Sequence, residues 1–104
     1  MVRLGQVMYL HKDAFDVYQK RHAALWPEMK LALREYGASN YSIFLNKETG
    51  QTFAYLEVPS VETYNRIADT DVCKKWWKYM APLMDTNPDN SPVTTDLKEV
   101  FHLE

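Results

Sequence analysis

The sequence predicts an α+β domain in which helices cover one face of an antiparallel sheet. Three observations predict it. Segments with strand and helix patterns follow one another as β-α-β-β-α-β, the two central β segments are joined by a short turn, and the hydrophobic period switches between two and three-to-four along the chain. At 104 residues the chain is the size of one domain, spanning 1–104. Its 46% hydrophobic and 25% charged residues fit a soluble globular protein. A net charge of -2 provides no basic field for a phosphate backbone, so nucleic acid is not an expected partner. No apolar run is long enough for a signal segment or a membrane span, and the single Cys73 has no partner for an internal disulfide. The expected compartment is a reducing cytoplasm, with no membrane association.

Residues 2 to 10 alternate, with Val2, Leu4, Met8 and Leu10 on one side and Arg3, Val7 and Tyr9 on the other, as in a strand. Asp13 is the expected N-cap of a helix whose stripe is Phe15, Tyr18, His22 and Leu25. Proline disfavours helical geometry in the residue before it and suits a first helical position. The helix should therefore end near Ala24, and another should begin at Pro27 with Trp26 at the joint. That second helix carries Met29, Leu33 and Tyr36 and stops at Gly37, a residue suited to a left-handed cap. Asn40 to Asn46 and Thr52 to Val58 read as a hairpin around Lys47-Glu48-Thr49-Gly50. Ser60 caps a helix with Val61, Tyr64, Ile67 and Ala68. Thr70-Asp71 restarts one in which Val72, Trp76, Tyr79 and Leu83 run beside Cys73, Trp77, Met80 and Met84. Residues 85 to 95 hold turn formers and two prolines and read as a loop, and Leu97 to Leu103 as a final strand.

This order is the ferredoxin-like arrangement. The strand positions opposite the helices include Val7, Tyr9, Phe44, Phe53, Tyr55 and Val100, too apolar for a solvated sheet face. A second copy of the sheet is the expected cover, giving a symmetric homodimer of the α/β-barrel type, although a different partner would satisfy the same requirement. Fourteen aromatic residues are more than a core of this size hides, which points to a pocket, an interface, or both.

No phosphate loop, zinc-spaced Cys and His set or nucleophile elbow is present, so no metal is expected. Tyr18 and His22 stand four apart on one helical face. A neutral imidazole can give or take a proton near physiological pH, and a phenol can orient a substrate hydroxyl; the plain alternative is a histidine satisfied in the core or at the surface. His11 and His102 are more ordinary, one beside a turn and one ending a strand. Trp76 and Trp77 point about 100° apart on their helix, so only one can face a given packed core. Tryptophan stacks on the C–H face of a sugar ring and donates its N–H to a hydroxyl, yet the pair could equally divide between core and interface. Tyr41 opens the second strand and could pack or bind. Cys73 reads as a small buried hydrophobe, and Asp89 and Asn90 as turn residues that could line a site mouth.

The segments Tyr18-Gln-Lys-Arg-His22, Trp26-Pro27-Glu28, Thr70 to Met80 (with Cys73-x-x-Trp76-Trp77) and Asn87-Pro-Asp-Asn-Ser-Pro92 resemble those of the L-rhamnose mutarotases, and the likeness runs from end to end. The resemblance implies a cofactor-free homodimer of ferredoxin-like subunits that interconverts the α and β anomers of L-rhamnose. It implies that His22 is the proton donor and that Tyr18, Tyr41, Trp76 and Trp77 contact the sugar. The base stays open among Tyr18, Glu28, Asp89 and a water. Small monooxygenases built on similar dimers and a non-catalytic sugar-sensing module are the competing readings.

Overall fold

In the computed structural model, which describes residues 1–104, four strands form one antiparallel sheet in the order β2-β3-β1-β4. β1 is Val2–Tyr9, β2 Ser39–Leu45, β3 Gln51–Val58 and β4 Thr94–Leu97. β1 is central because it pairs with β3 on one side, from Val2 opposite Val58 to Tyr9 opposite Gln51, and with β4 on the other, from Gly5 opposite Leu97 to Met8 opposite Thr94. Strand alternation then sorts the side chains. Met8, Thr52, Ala54, Leu56 and Val58 are buried on one face, while Phe44 and Phe53 stand on the other at 67% and 39% exposure. Leu56 and Val58 are fully buried, each stabilising the fold by about 1.5–3 kcal/mol.

The helices pack on the buried face. They are α1 (Phe15–Ala23), α2 (Pro27–Glu35), α3 (Val61–Asn65) and α4 (Asp71–Met80), with short 3-10 turns at Arg66–Asp69 and Ala81–Leu83. Their inward residues Tyr18, Met29, Ala32, Ile67, Cys73, Trp76 and Met80 form a single core with Met8 and Ala54 of the sheet. The expected breaks are present. Pro27 opens α2. Gly37, at φ 95°, closes it: the N–H of Ala38 donates to the Leu33 carbonyl at 2.9 Å and that of Gly37 to the Arg34 carbonyl at 3.1 Å, the paired bonds of a Schellman cap. The Ser60 and Thr70 hydroxyls accept from the N–H groups of Thr63 and Cys73, each at 3.3 Å, as N-caps do. At the β2–β3 turn the Asn46 carboxamide accepts from the Glu48 N–H at 3.0 Å, and Gly50 supplies the left-handed residue at φ 80°.

Three expectations need correction. The N-cap of α1 is Ala14, with no side-chain cap. Asp13 stands one residue too early, inside a turn closed by the Ala14 N–H on the His11 carbonyl at 3.0 Å. The last strand is Thr94–Leu97 and not Leu97–Leu103, so Thr94 and Thr95 belong to the sheet and not to the preceding loop. β4 is an edge strand exposed along its length, and its polar Thr-Thr-Asp run therefore carries no apolar signal. Beyond Leu97 the ladder stops, although two positions further on in the same register Arg3 Nε donates to a Glu99 carboxylate oxygen at 2.6 Å. Val100 consequently lies outside the sheet, at 87% exposure in a terminal segment without regular secondary structure, with Phe101 and Leu103.

Candidate active site

Between the helices and one end of the sheet lies a cavity of about 790 Å³, within the size range of small-ligand sites. Several separate stretches of chain wall it. α1 contributes Phe15, Tyr18 and His22, β2 contributes Tyr41 and Ile43, α4 contributes Cys73, Trp76, Trp77 and Met80, and Asn90 and Pro92 close the side from the loop before β4. Tyr64 of α3 also faces it. The lining is mostly hydrophobic, with a few polar tips.

Tyr18 and His22 meet because four residues make about one helical turn. Their rings lie 4.3 Å apart. Nδ1 of His22 stands 3.2 Å from the Tyr18 carbonyl oxygen. A carbonyl only accepts, so this bond places the proton on Nδ1 and leaves the Nε2 lone pair on the far side of the ring. Burial lowers the His22 pKa below its ordinary 6.5, with the Tyr18 carbonyl partly opposing the shift. The imidazole is therefore neutral at physiological pH and of one tautomer.

Burial pushes the phenols of Tyr18 and Tyr64 up; Tyr41 is 37% exposed as a residue, but enclosure of its hydroxyl end pushes it up too, with the neighbouring Tyr64 phenol opposing the rise, so all three are neutral. Trp76 is 7% exposed and at once core and cavity wall, its ring edge-on to His22 at 5.5 Å. Trp77 is half-buried and forms a second panel. Trp76 is held from behind by Trp26, edge-on at 5.1 Å, which stacks at 5.2 Å on Tyr79; Arg21 lies 3.9 Å over that tyrosine and donates to its carbonyl at 2.5 Å. Burial raises the Cys73 thiol to about 11, so it lines the cavity as an unreactive apolar group.

Tyr18, His22, Tyr41, Trp76 and Trp77 thus come together on one cavity. Other residues do not join them. Glu28 is exposed at the start of α2, away from the cavity. Asp89 faces an adjoining groove, where its carboxylate is bound by Ser91. His11 is an exposed residue whose Nε2 lies 3.3 Å from Asp85, and His102 is exposed in the terminal segment. The one carboxylate in the lining is Asp16, exposed at the mouth. Sequence reasoning passed over Phe15, Tyr64 and the Trp26–Tyr79–Arg21 backing, whose convergence is a tertiary fact with no spacing signal.

The sequence matches the family model described as L-rhamnose mutarotase over residues 3–103. The chain belongs to the L-rhamnose mutarotase family. It is 81% identical to the L-rhamnose mutarotase of Lactiplantibacillus plantarum over 104 residues and 54% identical to that of Bacillus subtilis over 104 residues, with all of both chains covered in each comparison. The crystal structure of an L-rhamnose mutarotase from Formosa agariphila superposes with a TM-score of 0.92 at 43% identity, covering all of both chains. An antibiotic biosynthesis monooxygenase structure superposes at a TM-score of 0.64 over 96% of this chain and 99% of its own, with 11% identity, and so shares the fold alone. Within the mutarotase family, then, the cavity between α1, β2 and α4 is the place to look for sugar chemistry.

Proposed function

We propose that this protein interconverts the α and β anomers of L-rhamnose, an isomerase reaction at the anomeric carbon, and that His22 carries the proton transfers. The carrying observation is the meeting of Tyr18, His22, Tyr41, Trp76 and Trp77 on one cavity in a member of this family. Ring opening removes the proton of the anomeric hydroxyl O1, breaks the C1–O5 bond and places a proton on the ring oxygen O5. Both oxygens are attached to C1, so one base can serve both. Nε2 of His22 takes the O1 proton and, as imidazolium, returns it to O5. The open aldehyde turns about C1–C2, O5 attacks the other face while its proton passes back to Nε2, and Nε2 reprotonates O1. No net proton or electron is exchanged.

Tyr18 and Tyr41 donate to ring hydroxyls, and Trp76 and Trp77 form the apolar wall on which the C–H face and the C6 methyl of the sugar rest. Support for the subunit arrangement comes from the sheet. Its order, read from the other edge, is 4-1-3-2 with every neighbour antiparallel, the order of the ferredoxin-like fold. The open face with Phe44 and Phe53, together with the exposed Val100, Phe101 and Leu103, is apolar surface that a second copy would cover, making a homodimer. A cytoplasmic location agrees with the lone free thiol of Cys73.

Exchange NMR on the two anomeric protons of L-rhamnose tests the activity, with other aldoses beside it. Faster exchange for L-rhamnose in the presence of the protein is expected. Unchanged exchange for every sugar would overturn the assignment.

A further inference from the structure

Asn87 to Pro92 closes one side of the cavity, and Asn90 lines both that cavity and an adjoining groove of about 660 Å³. The segment is held by its own bonds. The Asn87 N–H donates to the Ser91 carbonyl at 2.8 Å, and the Asn90 N–H to the Asn87 carbonyl at 2.9 Å. The Asn87 carboxamide donates to the Ser91 hydroxyl at 3.0 Å and the Pro92 carbonyl at 3.3 Å, and the Asp89 carboxylate accepts from the Ser91 N–H at 3.0 Å and its hydroxyl at 2.5 Å. The side chains of Asn87, Asp89 and Ser91 are thus used inside the loop. The Asn90 side chain is in none of these bonds, and it is half-buried against the cavity.

The Asn90 backbone sits at φ 71°, in the left-handed region that glycine and asparagine tolerate best. Glycine would serve such a turn equally well. Asparagine adds a carboxamide, with an acceptor oxygen and two donor N–H groups.

We infer that Asn90 is a further sugar-binding and specificity-determining residue, its carboxamide bonding two adjacent ring hydroxyls from the loop side of the cavity. The inference rests on the proposed function above. Each sugar hydroxyl both donates and accepts, whereas the indoles of Trp76 and Trp77 only donate and His22 is engaged in proton transfer. The phenol oxygens of Tyr18 and Tyr41 can accept on their side of the cavity, and Asn90 adds a side-chain acceptor and two donors on the loop side, from a turn closed by its own hydrogen bonds. Such a contact discriminates between aldoses, because a sugar lacking the matching hydroxyl leaves the carboxamide unpaired.

The left-handed backbone selects the variants. Asn90→Gly keeps the turn and removes only the carboxamide; Asn90→Asp keeps the shape and exchanges the donor N–H groups for a charged acceptor. Rates of L-rhamnose anomer exchange against sugar concentration are measured for both, with thermal melting and a direct L-rhamnose titration followed by tryptophan fluorescence. With N90G melting within a few degrees of the parent, KM and the dissociation constant are expected to rise about two- to tenfold, the worth of one net hydrogen bond. The turnover number kcat is expected to change less than about twofold. N90D should weaken binding as well. Parental KM and affinity in N90G would overturn the inference, as would a lowered melting temperature with KM unchanged, which is the signature of a turn residue. If the parent speeds exchange of no sugar, the functional reading fails separately, and the titration still decides the contact: equal affinity for parent and N90G overturns it.

Discussion

The exchange His22→Asn isolates the proton-transfer atom. The asparagine amide nitrogen can stand where Nδ1 does, so the bond to the Tyr18 carbonyl, 3.2 Å long, is kept while Nε2 vanishes. A positioned acid–base group is worth about 10² to 10⁴ in rate, or about 2.7 to 5.5 kcal/mol of barrier, and kcat should fall by that factor. Stability should change less. The imidazole gives up its stacking on Tyr18 at 4.3 Å and its edge contact with Trp76 at 5.5 Å, about 1–3 kcal/mol together. The pH dependence has a definite sign. Because burial lowers the folded pKa below 6.5, the unfolded chain binds the proton more readily, so the stability from neutral His22 is fully present above 6.5 and lost as pH falls through the lowered value. Activity that starts from neutral Nε2 rises through that same lowered value and is level above it. Exchange NMR and urea unfolding across this range test both, and H22N should lose both limbs. Mutarotation by H22N within about threefold of the parent would refute the reasoning. So would a parental profile that falls as pH rises through the window, since imidazolium would then be the working form.

The two tryptophans should separate by burial. Trp76→Ala removes a 7%-exposed side chain and should cost about 3–5 kcal/mol in urea unfolding, whereas half-buried Trp77→Ala should cost less and raise KM for L-rhamnose. Phe44→Glu puts a charge on the open sheet face at its most exposed aromatic ring and should convert a dimer to a monomer in sedimentation; an unchanged mass would remove that face as the interface. Gly37→Ala forces a Cβ to 2.7 Å from Pro59 Cδ at φ 95°. A cost of about 1–2 kcal/mol there lowers the melting temperature by roughly 4 to 16 °C, and an unchanged melt would refute the strain.

What was legible in the sequence had a local cause. Met8 and Leu10 share the core face of β1, although Val7 on the opposite face is also buried in the single chain and Val2 at the strand start is exposed; Pro27 and Gly37 bound α2 because their own dihedral preferences do so. Tyr18 and His22 could be paired in advance since one helical turn brings them together. β4 was misplaced because an edge strand open to solvent needs no apolar alternation, while the apolar residues that follow it lie outside the sheet. Apolar pattern reports burial, and burial within one chain is not the only kind: Phe101 and Leu103 carry a core-like pattern without a core in the single chain. Asn90 was read as a turn residue that could line a site mouth, and it does line the cavity; Tyr64 could not be placed there from spacing, because α3 meets α1 and β2 at the cavity only through the tertiary fold.

The modest equipment of the site follows from the reaction. Anomer exchange proceeds in water without help, so the protein needs only a correctly placed proton carrier and an oriented sugar. An imidazole in water near pH 6.5 is divided between two charge states and, when neutral, between two tautomers. The cavity removes both ambiguities, burial favouring the neutral ring and the Tyr18 carbonyl assigning the proton to Nδ1. A carboxylate deep in so apolar a cavity would itself be costly to keep charged, and the lining carries one only at the mouth, Asp16. Since the oxygen that loses a proton and the oxygen that gains one share a carbon, one imidazole with a free Nε2 can serve both, and a second base adds nothing the chemistry requires. Under the proposed mechanism the aromatic backing of Trp76 by Trp26 and Tyr79 has a role as well: it would fix the wall against which His22 and the sugar are held.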